Sequence, residues 1–223
     1  MARVRVWDLP TRLFHWLLVA CLACLLVTGF RGGAAIEWHA RFGYAMLALL
    51  LFRIAWGFVG GRWSRFASFL HAPRSVGAYL RGQAHPDQLV GHNPLGAGSV
   101  FLMLLALLAQ VATGLVNDDE IAFQGPLNRF VSSAVVEAAR KYHEVGAWVV
   151  IALAAVHVLA VLYYLVGKRQ NLVRAMVTGD KELGTSATPS RDDAVSRIGA
   201  LVVMVLAAAA TTWVVRQGMA SAF

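Results

Sequence analysis

Charged residues are scarce in this chain of 223 residues: only 14% are Asp, Glu, Lys or Arg, against about 25% in soluble domains. Hydrophobic residues make up 58%. Five long apolar segments exclude an ordinary soluble fold, because such segments satisfy their backbone most simply as helices in lipid. Each is near the roughly 20 residues that a bilayer requires. The segments are residues 13–30, 39–59, 95–116, 143–166 and 198–215.

Cysteine is equally scarce, and the two cysteines present do not form a site for covalent haem attachment. The two cysteines, Cys21 and Cys24, lie three residues apart inside the first apolar segment. No histidine follows Cys24, so the pair is not a c-type haem attachment site. A cysteine in hydrocarbon behaves as a small hydrophobic residue. We therefore interpret both as structural.

The net charge of +8 reflects membrane orientation rather than nucleic-acid binding. Basic residues concentrate at the amino terminus, between the second and third apolar segments, and after the fourth. The opposite loops contain both signs of charge. Because basic loops remain cytoplasmic, we predict a cytoplasmic amino terminus and a carboxyl terminus on the far side. We expect no nucleic-acid partner.

Four histidines of the apolar segments lie at depths that match in pairs. His143 and His157 are fourteen residues apart, which separates them by roughly 21 Å along a helix and about 40° around it. With the orientation above, His15 and His157 are near the cytoplasmic surface, whereas His39 and His143 are near the opposite surface. The spacing therefore predicts two separate sites, one near each side of the membrane.

Haem is the ligand that these four side chains fit best. An imidazole inside a membrane is costly unless it binds something, and histidine is a common axial ligand of haem iron. We predict an inner haem between His15 and His157 and an outer haem between His39 and His143. Surface or capping roles are the default for the other histidines, which are His71, His85 and His92. The alternative for His92, which abuts the third apolar segment, is that it reaches a propionate of the inner haem.

Two arginines of the second apolar segment are candidate cofactor-binding residues. Arg53 follows His39 by fourteen residues, so it should lie at the level of the inner haem. An arginine inside a membrane needs a partner, and a haem propionate suits its bidentate fork. The alternative is that Arg53 extends to the membrane surface. Arg41, two residues after His39, is assigned to the outer haem in the same way.

Four stretches of this sequence resemble the bacterial cytochrome b561 family, which includes the b-type cytochrome subunits of nickel–iron hydrogenases. They are VWDLPTRLFHW, HARFGYAMLALLLFRIAWGFVGGRWSRF, GHNPLGA and KYHEVGAWVVIALAAVHVLAVLYY. The resemblance covers roughly residues 6–179 and implies a four-helix core with two b haems and quinone as an electron partner. By position, the family's haem-binding histidines match His15, His39, His143 and His157, and Arg53 falls in its R-x-x-W-G stretch.

The predicted fold is an all-α integral membrane protein: a four-helix transmembrane bundle that binds two haems, plus a fifth carboxyl-terminal transmembrane helix. Residues 1–179 form the dihaem core, 180–197 a polar linker, and 198–223 the additional helix with a short tail. The resemblance places the chain in the bacterial inner membrane, and the distribution of basic residues then makes the carboxyl terminus periplasmic. The fifth helix departs from the family's four-helix core. Besides membrane lipid and quinone, it implies a redox partner protein of the hydrogenase or cytochrome c type.

The predicted function is electron transfer across the inner membrane between a protein or small-molecule donor and the quinone pool. A hydrogenase-like complex is one setting. The alternative is a stand-alone superoxide or quinone oxidoreductase, in which Arg129, Arg140 and Lys141 would attract an anion, although the nearby acidic NDDE run opposes this. A haem-free proton or metal transporter is a third hypothesis. Glu144, at the start of the fourth segment, is the one carboxylate inside the apolar segments, and this scarcity disfavours the transporter.

Overall fold

The computed structural model describes residues 2–83, 85, 88, 90–121, 123–184 and 187–219, and its described part is mostly helical. Within the described residues, five helices are long and apolar enough to cross a membrane, which confirms the predicted all-α membrane fold. They are α1 (Leu9–Arg31), α2 (Ile36–Val59), α4 (Pro94–Val116), α5 (Ser133–Val166) and α7 (Ala194–Met219). The shorter elements are β1 (Ala2–Arg5), α3 (Pro73–Leu80), α6 (Leu172–Thr178) and β2 (Asp180–Leu183).

The long helices extend beyond the apolar segments from which they were predicted. The largest extension is in α5, which begins at Ser133, ten residues before the segment 143–166. Large apolar side chains point outward along these helices, as Leu105, Leu159 and Leu206 show. A helix that is apolar on all sides is typical of a membrane span.

The chain divides into two compact units, and the divisions fall inside or close to the ends of the long helices. The first unit contains Met1–His15, Arg53–Leu102 and Leu153–Val203. The second unit contains Trp16–Phe52, Met103–Ala152 and Met204–Phe223. Each unit contains one of the two predicted histidine pairs.

In the first unit, both ends of the predicted four-helix core are joined by a small sheet. Strands β1 and β2 pair antiparallel, with Arg5 opposite Asp180. Farther along, the backbone N–H of Ser190 donates to the Arg5 carbonyl at 2.7 Å, and the Trp63 indole donates to the Thr188 carbonyl at 2.9 Å. The described part of segment 180–197, predicted as a linker, is therefore ordered against the amino terminus, and α7 already begins within it.

Ion pairs reinforce this sheet. Arg5 contacts Asp180 and Asp192, each at 2.6 Å, and Arg3 contacts Asp180 at 2.7 Å. Arg197 at the start of α7 contacts Asp192 at 3.1 Å. Burial alone would raise the pKa of Asp180, but its hydrogen bonds and ion pairs with Arg5 and Arg3 lower the pKa overall. The fifth helix is thereby attached to the amino terminus through Asp192.

The start of α1 is fixed by Asp8, whose residue surface is completely buried. Its Oδ1 accepts hydrogen bonds from the backbone N–H of Thr11 at 2.8 Å and from the Trp56 indole at 3.3 Å. Its Oδ2 accepts from the backbone N–H of Gly61 at 3.0 Å and from the Ser64 hydroxyl at 2.8 Å. One carboxylate therefore caps α1 and also holds the end of α2 and the turn that follows it.

Candidate functional site

The second unit brings His39 of α2 and His143 of α5 together, as the sequence predicted. Their ring centroids are 6.0 Å apart and the ring planes are inclined at 83°. A metal ion bound by two imidazoles lies about 2.0–2.1 Å from each ligand nitrogen, as in histidine–zinc sites. Adding the distance from nitrogen to ring centre on each side gives about 6 Å between the two ring centroids. The separation therefore fits two axial ligands of a single iron.

Hydrogen bonds also set the tautomer that ligation requires. His39 Nδ1 lies 3.0 Å from the Leu25 carbonyl oxygen, and His143 Nδ1 lies 3.0 Å from the Gln110 carbonyl oxygen. A carbonyl only accepts, so each Nδ1 carries the proton and each neutral ring keeps its lone pair on Nε2. Metal-bound histidines in proteins almost always donate their other N–H in this way. Both rings are therefore prepared to bind through Nε2.

Two glycines give the imidazoles their space, and sequence reasoning did not assign them this role. A Cβ on Gly29 would lie 2.9 Å from His39 Cε1, and a Cβ on Gly114 would lie 3.2 Å from His143 Cε1. Each glycine follows a threonine near the carboxyl end of its helix, in the stretches LLVTGF and QVATGL. The repeated Thr-Gly pair is the sequence signal that marks this site.

The first unit contains the other predicted pair, His15 of α1 and His157 of α5. The Nδ1 atom of His15 is buried, and an electrostatic interaction links the two imidazoles. Arg53 of α2 and His92, which directly precedes Asn93 at the start of α4, belong to the same unit. This unit therefore combines two candidate ligands with one buried cation.

Arg53 is buried, with 4% of its surface exposed, so its side chain packs against protein. Its guanidinium stacks on the ring of Phe66 at 4.7 Å and lies 6.0 Å from the ring of Phe69. The Nη1 atom is buried and has no hydrogen-bond partner among the described residues. A buried donor without an acceptor is costly, so this nitrogen indicates where an anionic group would bind.

His92 differs from the default expectation of a surface histidine. Its ring packs between Trp7 at 4.7 Å and Phe69 at 4.6 Å, and its Nδ1 is buried without a partner in the described part of the chain. Burial, followed by the charges of Arg53 and Lys181, lowers the pKa of His92 to about 3. The ring is therefore neutral at physiological pH and contributes a hydrogen-bonding group rather than a charge.

Arg41 does not join the His39–His143 site. It forms an ion pair with Glu37, one turn earlier on α2, and its guanidinium lies over the Trp38 ring at 4.8 Å. Together with Tyr44 and Arg129 it lines a surface groove of about 410 Å³. Two residues correspond to about 200° around a helix, which turns Arg41 away from His39.

Comparison with known proteins identifies the family of this chain. The family model for prokaryotic cytochrome b561 matches residues 6–179. Three similar proteins carry the name "Probable Ni/Fe-hydrogenase B-type cytochrome subunit". In the Escherichia coli protein the name reads "Ni/Fe-hydrogenase 1". They come from Rhizobium leguminosarum bv. viciae (27% identical; 80% of this chain and 88% of that protein covered), Escherichia coli K12 (25%; 78% and 88%) and Rhodobacter capsulatus (26%; 80% and 81%). No solved structure matches. Because the family model spans more than three quarters of the chain, this protein belongs to the prokaryotic cytochrome b561 family of membrane-bound, electron-transporting b-type cytochromes.

Proposed function

We propose that this chain is the dihaem membrane subunit of a hydrogenase-like complex and transfers electrons between that partner and the quinone pool of the bacterial inner membrane. The observation that carries the proposal is the His39–His143 pair, with rings 6.0 Å apart and both Nδ1 atoms on backbone carbonyls. Haem, when bound, supplies one-electron redox chemistry, while the protein supplies ligands, orientation and a low dielectric. The names of the relatives favour a complex over a stand-alone oxidoreductase.

The second haem is assigned to His15 and His157. His157 lies fourteen residues after His143 on the same helix, α5, so it repeats the orientation of a residue whose surroundings fit a ligand. His15 lies in the same unit and interacts with it electrostatically. Membership of a b-type cytochrome family removes the support for a haem-free transporter.

The first experiment is a reduced-minus-oxidised visible spectrum of the purified chain, with haem quantified as the pyridine haemochrome. The proposal requires two low-spin b haems per chain and their reduction or oxidation by an added quinone couple. One haem would mean that one histidine pair is wrongly assigned, and none would overturn the proposal.

The cytoplasmic amino terminus is tested by labelling a cysteine placed at Arg129, an exposed residue, with a membrane-impermeant thiol reagent on intact spheroplasts. The reagent should reach it.

Arg53 is proposed to bind a propionate of the His15–His157 haem, because its buried Nη1 has no partner in the described structure. Arg53→Met should lower haem retention at this site and shift its reduction potential, whereas Arg53→Lys keeps the charge but loses the bidentate fork and should give an intermediate result. Haem content and redox titration measure both effects. Arg62→Met is the matched control, since Arg62 is exposed and stacks on Trp63 at 5.5 Å. Equal potentials in all three variants would contradict the assignment.

A methyl group at Gly29 is expected to displace the outer haem. Gly29→Ala places Cβ 2.9 Å from His39 Cε1, a distance at which the imidazole must move, whereas Gly114→Ala leaves 3.2 Å to His143 Cε1 and needs a smaller shift. The haem-to-protein ratio should therefore fall more for Gly29→Ala than for Gly114→Ala. Gly43→Ala is the control, because a Cβ there meets nothing within 4 Å. A wild-type haem ratio in Gly29→Ala would show that His39 is not a ligand.

A further inference from the structure

We infer that Thr28 and Thr113 are positioning residues that share the Nδ1 protons of His39 and His143 and thereby lower the reduction potential of the haem held between them. The inference rests on the proposed haem ligation. It adds two side chains, outside the ligand set, that act on the iron through the imidazoles.

The geometry is clearest at Thr113. Its hydroxyl oxygen lies 3.1 Å from His143 Nδ1, while the same oxygen is 2.8 Å from the Ala109 carbonyl and 3.0 Å from the Gln110 carbonyl. A hydroxyl has one proton to donate, and a carbonyl of the preceding turn takes it. Toward the imidazole the oxygen is therefore an acceptor, and the Nδ1–H of His143 is shared between this hydroxyl and the Gln110 carbonyl at 3.0 Å.

Thr28 repeats the arrangement for the other ring. Its hydroxyl donates to the Cys24 carbonyl at 2.6 Å and lies 3.4 Å from His39 Nδ1, which also contacts the Leu25 carbonyl at 3.0 Å. The longer contact means a weaker hydrogen bond. The effect of Thr28 should therefore have the same sign as that of Thr113 and a smaller size.

The same local unit thus occurs twice around one site. In each case the carbonyl that accepts from Nδ1 lies three residues before the threonine, and the glycine that makes room for the ring directly follows it. The first copy lies on α1 and serves a histidine of α2, and the second lies on α4 and serves a histidine of α5. Two separate helix pairs reach one geometry, so the threonine is a component of the site rather than a chance neighbour.

The chemical consequence follows from charge. An acceptor on Nδ1–H makes the imidazole a more basic ligand, and a more basic ligand favours the oxidised, more positive iron. Removing the hydroxyl oxygen should therefore favour reduction. Loss of such an outer partner typically costs 10–100-fold in metal affinity or activity. For the reduction equilibrium constant we expect an effect at the lower end of that range, about tenfold, because the backbone carbonyl remains. Tenfold corresponds to about 59 mV for one electron.

The test is a redox titration, followed optically, of the full chain with haem bound, in three Thr113 forms: wild type, Thr113→Val and Thr113→Ser. Valine keeps the shape and removes the oxygen, so one of the two haem potentials should rise by about 59 mV. Serine keeps the oxygen and should restore the wild-type value. Thr212→Val is the matched control, because Thr212 makes the same bond to its own helix, to the Ala208 carbonyl at 2.9 Å, at an exposed position of α7. Thr28→Val should give a smaller rise.

Each outcome decides the inference. Unchanged potentials in Thr113→Val and Thr28→Val overturn it, as does a Thr113→Ser variant that behaves like Thr113→Val, because the methyl group would then be what matters. Loss of one haem from Thr113→Val but not from Thr113→Ser supports it. If Thr113→Val does not fold, Thr28→Val and Thr113→Ser carry the test. A wild-type chain without haem would instead contradict the proposed function, so the two failures are distinct.

Discussion

Replacing His143 with alanine is expected to remove one haem and leave the other, so that haem content falls from about two per chain to about one. The cause is the loss of one of the two imidazoles that would hold the haem, while His39 Nδ1 would remain on the Leu25 carbonyl. His157→Ala should do the same for the haem shared with His15. Because His143 and His157 both lie on α5, a combined variant should lose both haems without disturbing the other helices.

The measurement must show which haem is lost as well as how many remain. Each single variant should keep a different haem, so redox titration should find a different remaining potential in His143→Ala and His157→Ala. His85→Ala is the control, since His85 is an exposed histidine outside the spans. Two full haems in both single variants would contradict the predicted histidine pairs. Loss of the same haem in both would show that the histidines had been paired wrongly.

The histidine pairs were predictable because their cost is local and their spacing is regular. An imidazole in hydrocarbon requires a ligand, and fourteen residues return a helix to nearly the same face. The same rule disfavours the assignment of Arg41 to the outer haem, because two residues turn about 200° and Arg41 pairs with Glu37. For Arg53, fourteen residues after His39, spacing predicted a position at the level of the inner haem. The structure buries this side chain in the unit that contains His15 and His157, and its propionate role stays a prediction.

Other features could not be predicted, because they depend on contacts between distant segments. Nothing in the polar composition of residues 180–197 indicates that Asp180 and Asp192 pair with Arg5, across about 175 and 187 positions of sequence. The roles of Thr28 and Thr113 were hidden for the same reason. Threonine and glycine are ordinary residues near the end of a helix, so the pair alone does not indicate a site. Only the packing of the neighbouring helix shows that each hydroxyl contacts an imidazole.

Asp8→Ala is expected to destabilise the first unit by several kcal/mol, because a buried donor left without its acceptor costs about 1–3 kcal/mol. The substitution would leave four buried donors without their acceptor, on Thr11, Trp56, Gly61 and Ser64. It would also remove the cap of α1. Asp8→Asn should fall between the two forms, because its amide can replace only one of the two accepting oxygens and its NH₂ group would oppose a donor.

Thermal unfolding in detergent, followed by circular dichroism, measures this effect, at roughly 2–4 °C per kcal/mol for a chain of this size. Asp193→Ala is the matched control: Asp193 also caps a helix, accepting from the Ser196 N–H at 2.8 Å, but it is exposed. Comparing the two melting temperatures separates the effect of helix capping from the effect of the buried hydrogen bonds of Asp8. A melting temperature for Asp8→Ala equal to that of Asp193→Ala would mean that Asp8 acts only as a cap. A much lower one would show that the same carboxylate also holds the end of α2 and the turn beside it, in the unit that contains Arg53, His15 and His157.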